Sequence, residues 1–231
     1  MESLERARLR RRSTTVLIGA LLLALGPFLM WQGAEGGPAS QTAPNGIVVV
    51  GDSITARYND SAGHDDQGWW SIVAQHYRAD VRTYAQSGSG YLRPGRSCTG
   101  DRFPDRLWAF TGTPPSIFLI EGGRNDWATC VAGRFVTATD AQIQTAVERY
   151  MDLVKAAMPM ETHVMVLAPW GPKQAAEGLR VTEIIRTAAA ERGFEFIDTA
   201  GALGPDQVSD GVHPNRAGSL AIADRVIAAI G

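Results

Sequence analysis

The chain has 231 residues, of which 45% are hydrophobic and 20% are charged, a composition typical of a folded globular protein rather than a disordered one. Its formal net charge of -2 gives no support to nucleic-acid binding, which normally requires a basic surface. The length is enough for one substantial domain once the terminal segments are set aside.

The first predicted element is an apolar helix close to the N-terminus. Arginines are concentrated in residues 1–13, and residues 14–31 then carry no charged side chain. As a helix, this second stretch would be about 27 Å long, close to the apolar thickness of a bilayer. Because arginines stay on the cytoplasmic side, we expect a single-pass anchor in the cell membrane with the rest of the chain extracytoplasmic. A signal peptide has the same layout, and its cleavage would instead give a secreted protein.

Residues 32–45 are rich in small and polar side chains, which is typical of a linker, and one domain is expected over residues 46–231. In that domain, short apolar runs alternate with helical patterns. The predicted strands are Ile47–Val50, Val81–Tyr84, Ile117–Ile120, His163–Leu167 and Phe194–Ile197. The predicted helices cover about 67–78, 139–158, 174–192 and 215–229. This alternation predicts an α/β fold with a parallel sheet covered on both faces.

Polar motifs follow several of these strands, at the sheet edge where open α/β folds bind their ligands. A Gly-Asp-Ser turn at 51–53 follows the first strand and would expose a serine hydroxyl. The segments 85–90 and 121–126 follow the next two strands and contribute a glycine-rich turn and an asparagine amide. An Asp-x-x-His loop at 210–213 can join its two side chains by a hydrogen bond. Each motif alone has an ordinary interpretation as a helix cap or a turn, so the argument rests on their combined order.

In this order the motifs resemble those of the SGNH hydrolases, also called GDSL esterases and lipases, over nearly the whole of residues 47–230. The resemblance implies a three-layer α/β/α sandwich with a five-stranded parallel sheet, similar to flavodoxin and here preceded by the N-terminal hydrophobic helix. A flavodoxin-like nucleotide binder would have the same strand pattern, but no phosphate-binding glycine motif follows the first strand.

The resemblance also implies a role for each motif residue. Ser53 would attack an ester carbonyl, His213 would act as general base, and Asp210 would hold the imidazole in the required tautomer. Three donors would form the oxyanion hole, namely the backbone N–H groups of Ser53 and Gly88 and the side chain of Asn125. Gly90 lies in the same motif as Gly88, and the pattern Ala-x-Ser-Gly favours Gly88.

The resemblance requires no metal ion and no organic cofactor, and we expect a monomer that acts on a small-molecule or glycan ester. Two other functions stay open at this point. An acyltransferase would pass the same acyl group to a sugar hydroxyl, and a non-catalytic, membrane-tethered module would only bind glycans. The motif serine, asparagine and histidine are all present, which favours an enzyme.

Short acyl groups on carbohydrate are the expected substrates, because the chain has no long apolar insertion that could cover a lipid. Tyr91 and Trp127 lie near the motifs and are the candidate substrate-binding residues, since aromatic rings can stack on sugars. Trp70 and Trp108 are instead expected to pack in the core or in loops.

The chain has two cysteines, Cys98 and Cys130, and both lie in loop-like sequence. Outside the cytoplasm such a pair is expected to oxidise to a disulfide, and the alternative is two unrelated free thiols. Their spacing does not match a Cys-x-x-Cys redox or zinc motif.

Overall fold

A computed structural model of the protein describes residues 46–59, 65–168, 176–199 and 201–231. The predicted anchor at 14–31 and the predicted linker at 32–45 lie outside these described residues. Of the helices within the described ranges, none is both long and apolar enough to span a bilayer.

The described residues form two sheets. Their strands are β1 Ile47–Gly51, β2 Val81–Ala85, β3 Ile117–Glu121, β4 Ala128–Val131, β5 Arg134–Thr137, β6 His163–Leu167 and β7 Glu195–Ile197. The central sheet has the order β2-β1-β3-β6-β7, and all of its strands are parallel. The predicted five-stranded parallel sheet is therefore confirmed.

Five α-helices accompany the strands among the described residues, and the last of them follows β7. They are α1 Ser53–Asn59, α2 Trp69–Tyr77, α3 Asp140–Ala157, α4 Ala176–Glu191 and α5 Arg216–Ile230. The start of α3 is fixed by a capping box, in which the Gln142 N–H donates to the Thr139 hydroxyl at 3.3 Å. The Gln142 side-chain oxygen in turn accepts the Thr139 N–H at 3.0 Å.

Alternate residues of the sheet enter two separate cores. In β1, Val48 and Val50 belong to the core that also contains apolar residues of α3 and α4. Ile47 and Val49 point the other way and share a second core with residues of α2 and α5. A strand buried on both faces needs a continuous β-branched run, as the sequence of β1 has. Helices therefore cover both faces of the sheet.

The hairpin of β4 and β5 was not predicted from the sequence. Its strands pair antiparallel immediately after the asparagine motif, and Cys130 lies in β4 rather than in a loop. The structure contains the predicted disulfide between Cys98 and Cys130, with their Cα atoms 5.6 Å apart. The disulfide therefore joins this hairpin to the long connection between β2 and β3.

Candidate active site

Hydrogen bonds join the three side chains that were predicted to be catalytic. His213 Nε2 lies 2.9 Å from Ser53 Oγ, although the two residues are 160 positions apart. The other imidazole nitrogen, Nδ1, lies 2.7 Å from Asp210 Oδ2. In the tautomer with a proton on Nδ1, Nε2 can take the proton of the serine hydroxyl.

The loop between β7 and α5 holds the aspartate and the histidine in this arrangement. Ser209 donates its backbone N–H to the His213 carbonyl at 2.9 Å, which closes the loop. Asp210 Oδ1 accepts the His213 backbone N–H at 2.8 Å and the Val212 N–H at 3.1 Å. One carboxylate oxygen therefore fixes the loop, while the other is left for the imidazole and for Arg57 Nη1 at 3.2 Å.

Asp210 remains ionised at neutral pH. Partial desolvation alone would raise the pKa of Asp210, but hydrogen bonds from the His213 backbone and imidazole and from Val212 hold it well below its usual range. An ionised carboxylate at this position stabilises the imidazolium that forms when His213 accepts a proton.

The turn that carries Ser53 is shaped by the buried side chain of Asp52. Its Oδ1 accepts the Ile54 N–H at 2.9 Å, and its Oδ2 accepts a hydrogen from Asn125 Nδ2 at 3.1 Å. The same Asn125 nitrogen donates to the carbonyl oxygen of Ser89 at 2.9 Å. Asn125 therefore connects the serine turn to the loop that carries Gly88.

The carboxylate of Asp126 fixes the backbone of the loop that carries Gly88. It accepts three backbone N–H groups at 2.9–3.0 Å, from Tyr91, Leu92 and Arg93. A Cβ atom on Gly90 would lie 2.4 Å from the Asp126 carboxylate oxygens, so this position requires glycine. The Gly90 N–H donates to the Arg93 carbonyl at 2.9 Å and is not directed at the serine turn.

A second buried carboxyl group, Glu121, lies next to Asp52 at the end of β3. Its Oε2 accepts the Thr55 hydroxyl at 2.8 Å and the Asp52 N–H at 3.4 Å. Its Oε1 has no hydrogen-bond partner among the described residues. Burial and then the neighbouring carboxyl group raise the pKa of Glu121, and burial raises the pKa of Asp52. Burial and the proximity of the two carboxyl groups therefore favour the protonated form of at least one of them.

The placement of Tyr91 corrects the expectation that its ring lines the substrate site. The Tyr91 side chain is 1% exposed and packs against the rings of Phe103 and Tyr150, with centroids 4.9 Å and 5.7 Å away. The backbone of Tyr91 directly follows the glycine motif, but its ring is buried in the core that contains residues of α3. Tyr91 therefore presents no ring face to a substrate in this structure.

Trp127 lies two residues after Asn125, at the entry to β4, and its side chain is 42% exposed. The ring is therefore open to solvent, and its role in substrate binding stays a prediction. Trp70 is buried in the core, whereas Trp108 is 47% exposed and lies in the connection between β2 and β3.

Two buried charged residues near the motifs were missed in the sequence. Glu121 ends the apolar run of β3, and a charged residue in that position is a signal that could have been read. Arg106 is 2% exposed and lies in the connection between β2 and β3, where neither spacing nor composition distinguishes it from a surface arginine.

A hydrogen-bonded Ser-His-Asp set at the edge of a parallel α/β sheet defines the class of serine hydrolases. Residues 49–221 match the GDSL-like Lipase/Acylhydrolase family, and the chain belongs to that family. The protein is accordingly a hydrolase that acts on ester bonds, as the sequence motifs predicted.

Known proteins are similar to this chain in sequence or in fold. GDSL lipase Rv0518 of Mycobacterium tuberculosis is 26% identical over 195 residues, which cover 79% of this chain and 80% of the relative. A carbohydrate esterase family 2 enzyme of Corynascus thermopiles (Myceliophthora fergusii) has the same fold, with a TM-score of 0.65 and 22% identity over 84% of this chain and 68% of that one. A carbohydrate acetylesterase family member from Sinorhizobium meliloti matches with a TM-score of 0.60 and 18% identity, over 80% of this chain and 97% of that one.

Proposed function

We propose that the protein hydrolyses short-chain carboxylic esters through an acyl-enzyme on Ser53. The contact of 2.9 Å between His213 Nε2 and Ser53 Oγ carries this proposal, together with the bond from His213 Nδ1 to Asp210. A serine hydroxyl is a weak nucleophile, and an adjacent general base of this kind activates it.

The reaction proceeds in two halves. Ser53 Oγ forms a bond to the ester carbonyl carbon while His213 Nε2 takes the hydroxyl proton. The tetrahedral intermediate then collapses, the C–O bond to the alcohol breaks, and His213 gives its proton to the leaving oxygen. In the second half His213 deprotonates a water molecule while the water oxygen bonds to the acyl carbon. The bond from that carbon to Ser53 Oγ then breaks, the acid is released, and His213 returns its proton to the serine oxygen.

Backbone N–H groups of Ser53 and Gly88 and the Asn125 amide are the proposed donors to the oxyanion. Gly88 is favoured over Gly90 because the Gly90 N–H is already bonded to the Arg93 carbonyl. Both hydrogens of the Asn125 amide are bonded within the protein, to Asp52 and to Ser89. The oxyanion must therefore share an amide hydrogen with one of these acceptors or replace that acceptor. Because it carries a full negative charge, it is a stronger acceptor than the neutral Ser89 carbonyl.

Acylated carbohydrate is the proposed source of the ester. The exposed ring of Trp127 near Asn125 suits the face of a sugar. The carbohydrate esterase relatives of the same fold agree with this choice. The lipase relative favours the competing choice of a long acyl chain, so acyl length is the property to be tested.

The test is a series of p-nitrophenyl esters from acetyl to octanoyl, with Ser53→Ala as the control. We expect the highest kcat/KM between acetyl and butyryl and no turnover by a folded Ser53→Ala variant. An acyl tunnel would instead raise kcat/KM several-fold per methylene, since each buried CH₂ contributes about 0.8 kcal/mol. A maximum at octanoyl would contradict the short-chain proposal, and turnover by Ser53→Ala would contradict the nucleophile.

An added glycan acceptor extends this test to acyl transfer. If the acyl group appears mainly on the sugar rather than as free acid, the protein is an acyltransferase with the same nucleophile.

We further propose that residues 14–31 anchor the domain on the extracytoplasmic side of the membrane. The arginines that precede this uncharged apolar run support the proposal.

A further inference from the structure

Arg106 is a charged side chain buried beside the candidate active site. Its side chain is 2% exposed, and a charge buried to this extent requires several hydrogen-bond partners. Nη1 donates to the carbonyl oxygens of Gly51 at 2.8 Å and Tyr84 at 3.0 Å. Nη2 donates to the Asp101 carbonyl at 2.8 Å and also to the hydroxyl of Ser89.

The partners of Arg106 belong to the segments that form the site. Gly51 ends β1, two residues before Ser53, and Tyr84 lies in the neighbouring strand β2. Ser89 follows Gly88 directly, and its hydroxyl also donates to the Gln86 carbonyl at 2.7 Å. One guanidinium group therefore connects the end of the nucleophile strand to the loop of the proposed oxyanion donors.

The connection continues from this loop to the asparagine motif. The Ser89 hydroxyl accepts from Arg106, while the Ser89 carbonyl oxygen accepts from Asn125 Nδ2 at 2.9 Å. Ser89 is fully buried, so water does not compete for either bond. Arg106 thus restrains two proposed oxyanion donors, Gly88 through its neighbour and Asn125 through Ser89.

We propose that Arg106 is a positioning residue that sets the distance between Ser53 and the oxyanion donors. The inference rests on the proposed function, because it assumes that Ser53, Gly88 and Asn125 act together. A guanidinium group is planar and directs its five N–H groups at fixed angles, so acceptors on separate segments are held in one geometry. Lysine has one rotatable ammonium group and reproduces only part of this set.

A purely structural role makes a different prediction. If Arg106 only supported the fold, its loss would lower the stability of the protein without changing the chemistry of the folded fraction. If it positions the donors, the folded variant loses rate in the step that develops the oxyanion, and KM changes little. Displacement of catalytic groups by about 1 Å can lower a rate by about 100-fold.

The experiment compares Arg106→Gln and Arg106→Lys with the wild type and with Arg82→Gln. Arg82 is a matched control, because it also donates to two backbone carbonyls, those of Thr111 at 3.0 Å and Thr113 at 2.9 Å, but away from the site. The first readout is the rate at which a fluorophosphonate labels Ser53. The phosphoryl oxygen of this probe requires the same donors as the oxyanion of the ester reaction. The second is kcat and KM for p-nitrophenyl acetate, and thermal unfolding reports the folded fraction.

We expect Arg106→Gln to be labelled about 10-fold to 100-fold more slowly, with KM within about threefold and Arg106→Lys in between. Arg82→Gln should match the wild type in both readouts. Labelling of folded Arg106→Gln at the wild-type rate would overturn the inference. If Arg106→Gln does not fold, Ser89→Ala is the deciding variant, because it removes the hydroxyl that bonds to Arg106 and keeps the carbonyl that Asn125 uses. Slower labelling of Ser89→Ala supports the inference. Labelling at the wild-type rate overturns it.

Failure of the proposed function gives a different result. Wild-type protein that is labelled at Ser53 but does not cleave short esters would refute the substrate, while the labelling rates of the Arg106 variants would still test the positioning role. Wild-type protein that is not labelled at Ser53 would remove the nucleophile and overturn both proposals.

Discussion

Glu121 has an unusual environment for a carboxyl group, because it is fully buried and lies beside a second buried carboxyl, Asp52. Thr55 and the Asp52 N–H donate to one of its oxygens, and the other oxygen has no partner among the described residues. Leaving a neutral carboxyl oxygen unpaired costs far less free energy than leaving a charge unpaired. A protonated Glu121 is therefore the form that the folded protein favours.

We predict that Glu121→Gln becomes more stable relative to the wild type as pH rises. In the unfolded chain Glu121 ionises near pH 4.3, whereas its raised pKa keeps it protonated in the folded protein. The wild type thus has the full contribution of this group below about pH 4.3 and loses up to about 1.4 kcal/mol per pH unit above it, until the folded group also ionises. Glutamine does not titrate and avoids this loss. Urea unfolding between about pH 5 and pH 7 measures the difference.

Asp105→Asn is the control for this prediction, because the pH dependence of Asp105 has the opposite sign and lies below the measured pH range. The hydrogen bond from Arg102 lowers the pKa of Asp105, so its contribution is present above the unfolded pKa of about 3.9 and is lost as pH falls through the lower folded value. Asp105 is partly exposed, so solvent screening makes the effect small. A free-energy difference between Glu121→Gln and wild type that stays constant with pH would show that Glu121 is ionised in the fold.

Asn125 carries the proposed side-chain donor to the oxyanion. We expect Asn125→Ala to lower kcat by about 100-fold or more with a smaller change in KM, because the amide acts on charge that develops in the transition state. Gln144→Ala is a matched control, since it removes an exposed amide that bonds to Glu148 on the surface of α3. Steady-state kinetics on p-nitrophenyl acetate give both constants, and a change confined to KM would reassign Asn125 to substrate binding.

Among the elements, the hairpin of β4 and β5 could not be predicted, because its sequence lacks the usual signals of a hairpin. Its turn residues Ala132 and Gly133 both have positive φ, of 48° and 74°, as in a type I′ turn. Asparagine or aspartate normally occupies the first of these positions, so Ala-Gly does not indicate a hairpin. Strand β5 is exposed throughout and lacks the alternation of a half-buried strand.

The Cys98–Cys130 disulfide fastens this hairpin to the loop that follows Gly88. Side-chain bonds of Gln86 also hold the loop, to the Pro94 carbonyl at 3.3 Å and from the Asp101 N–H at 3.0 Å. The disulfide and these bonds restrain the same stretch of chain. Removal of the disulfide is therefore expected to destabilise this loop more than the central sheet.

We predict that the double variant Cys98→Ser/Cys130→Ser loses up to about 3–4 kcal/mol of unfolding free energy, from the entropy of the loop that the bridge closes. Mass spectrometry without reductant should find no free thiol in the wild-type protein. Urea unfolding of the oxidised and double-variant proteins measures the loss. A loss below about 1 kcal/mol would contradict this entropic account and would indicate residual structure around the loop in the unfolded chain.

For the molecule as a whole, the sheet could be predicted and the packing of individual side chains could not. Strands β1, β3 and β6 are apolar and β-branched because both of their faces are buried, and that pattern is visible in the sequence. Three of the proposed site motifs could be located in the same way, because they directly follow β1, β2 and β3. Tyr91 shows the limit, because the backbone beside Gly90 places it near the site while its ring turns into the core. Sequence spacing does not fix that direction in a loop.

The proposed attachment of the whole protein to the membrane gives a prediction outside the described residues. We expect the full-length protein to stay with the membrane fraction after a high-salt wash, since an apolar helix is not released by screening charge. A variant that begins at Gly46 is the control and is expected in the supernatant. If sequencing of the mature protein places its N-terminus after Trp31, the segment is a cleaved signal peptide and the anchor is refuted.

The contact between Ser53 and His213 also has a consequence in time. The ribosome adds His213 160 residues after the serine. At about 5–20 residues per second, this separation corresponds to about 10–30 s of translation. Throughout that interval a nascent chain carries the proposed nucleophile without the proposed base, and α5 must still emerge and dock against α2. Ester cleavage by a newly made chain therefore reports that synthesis has passed the last catalytic residue.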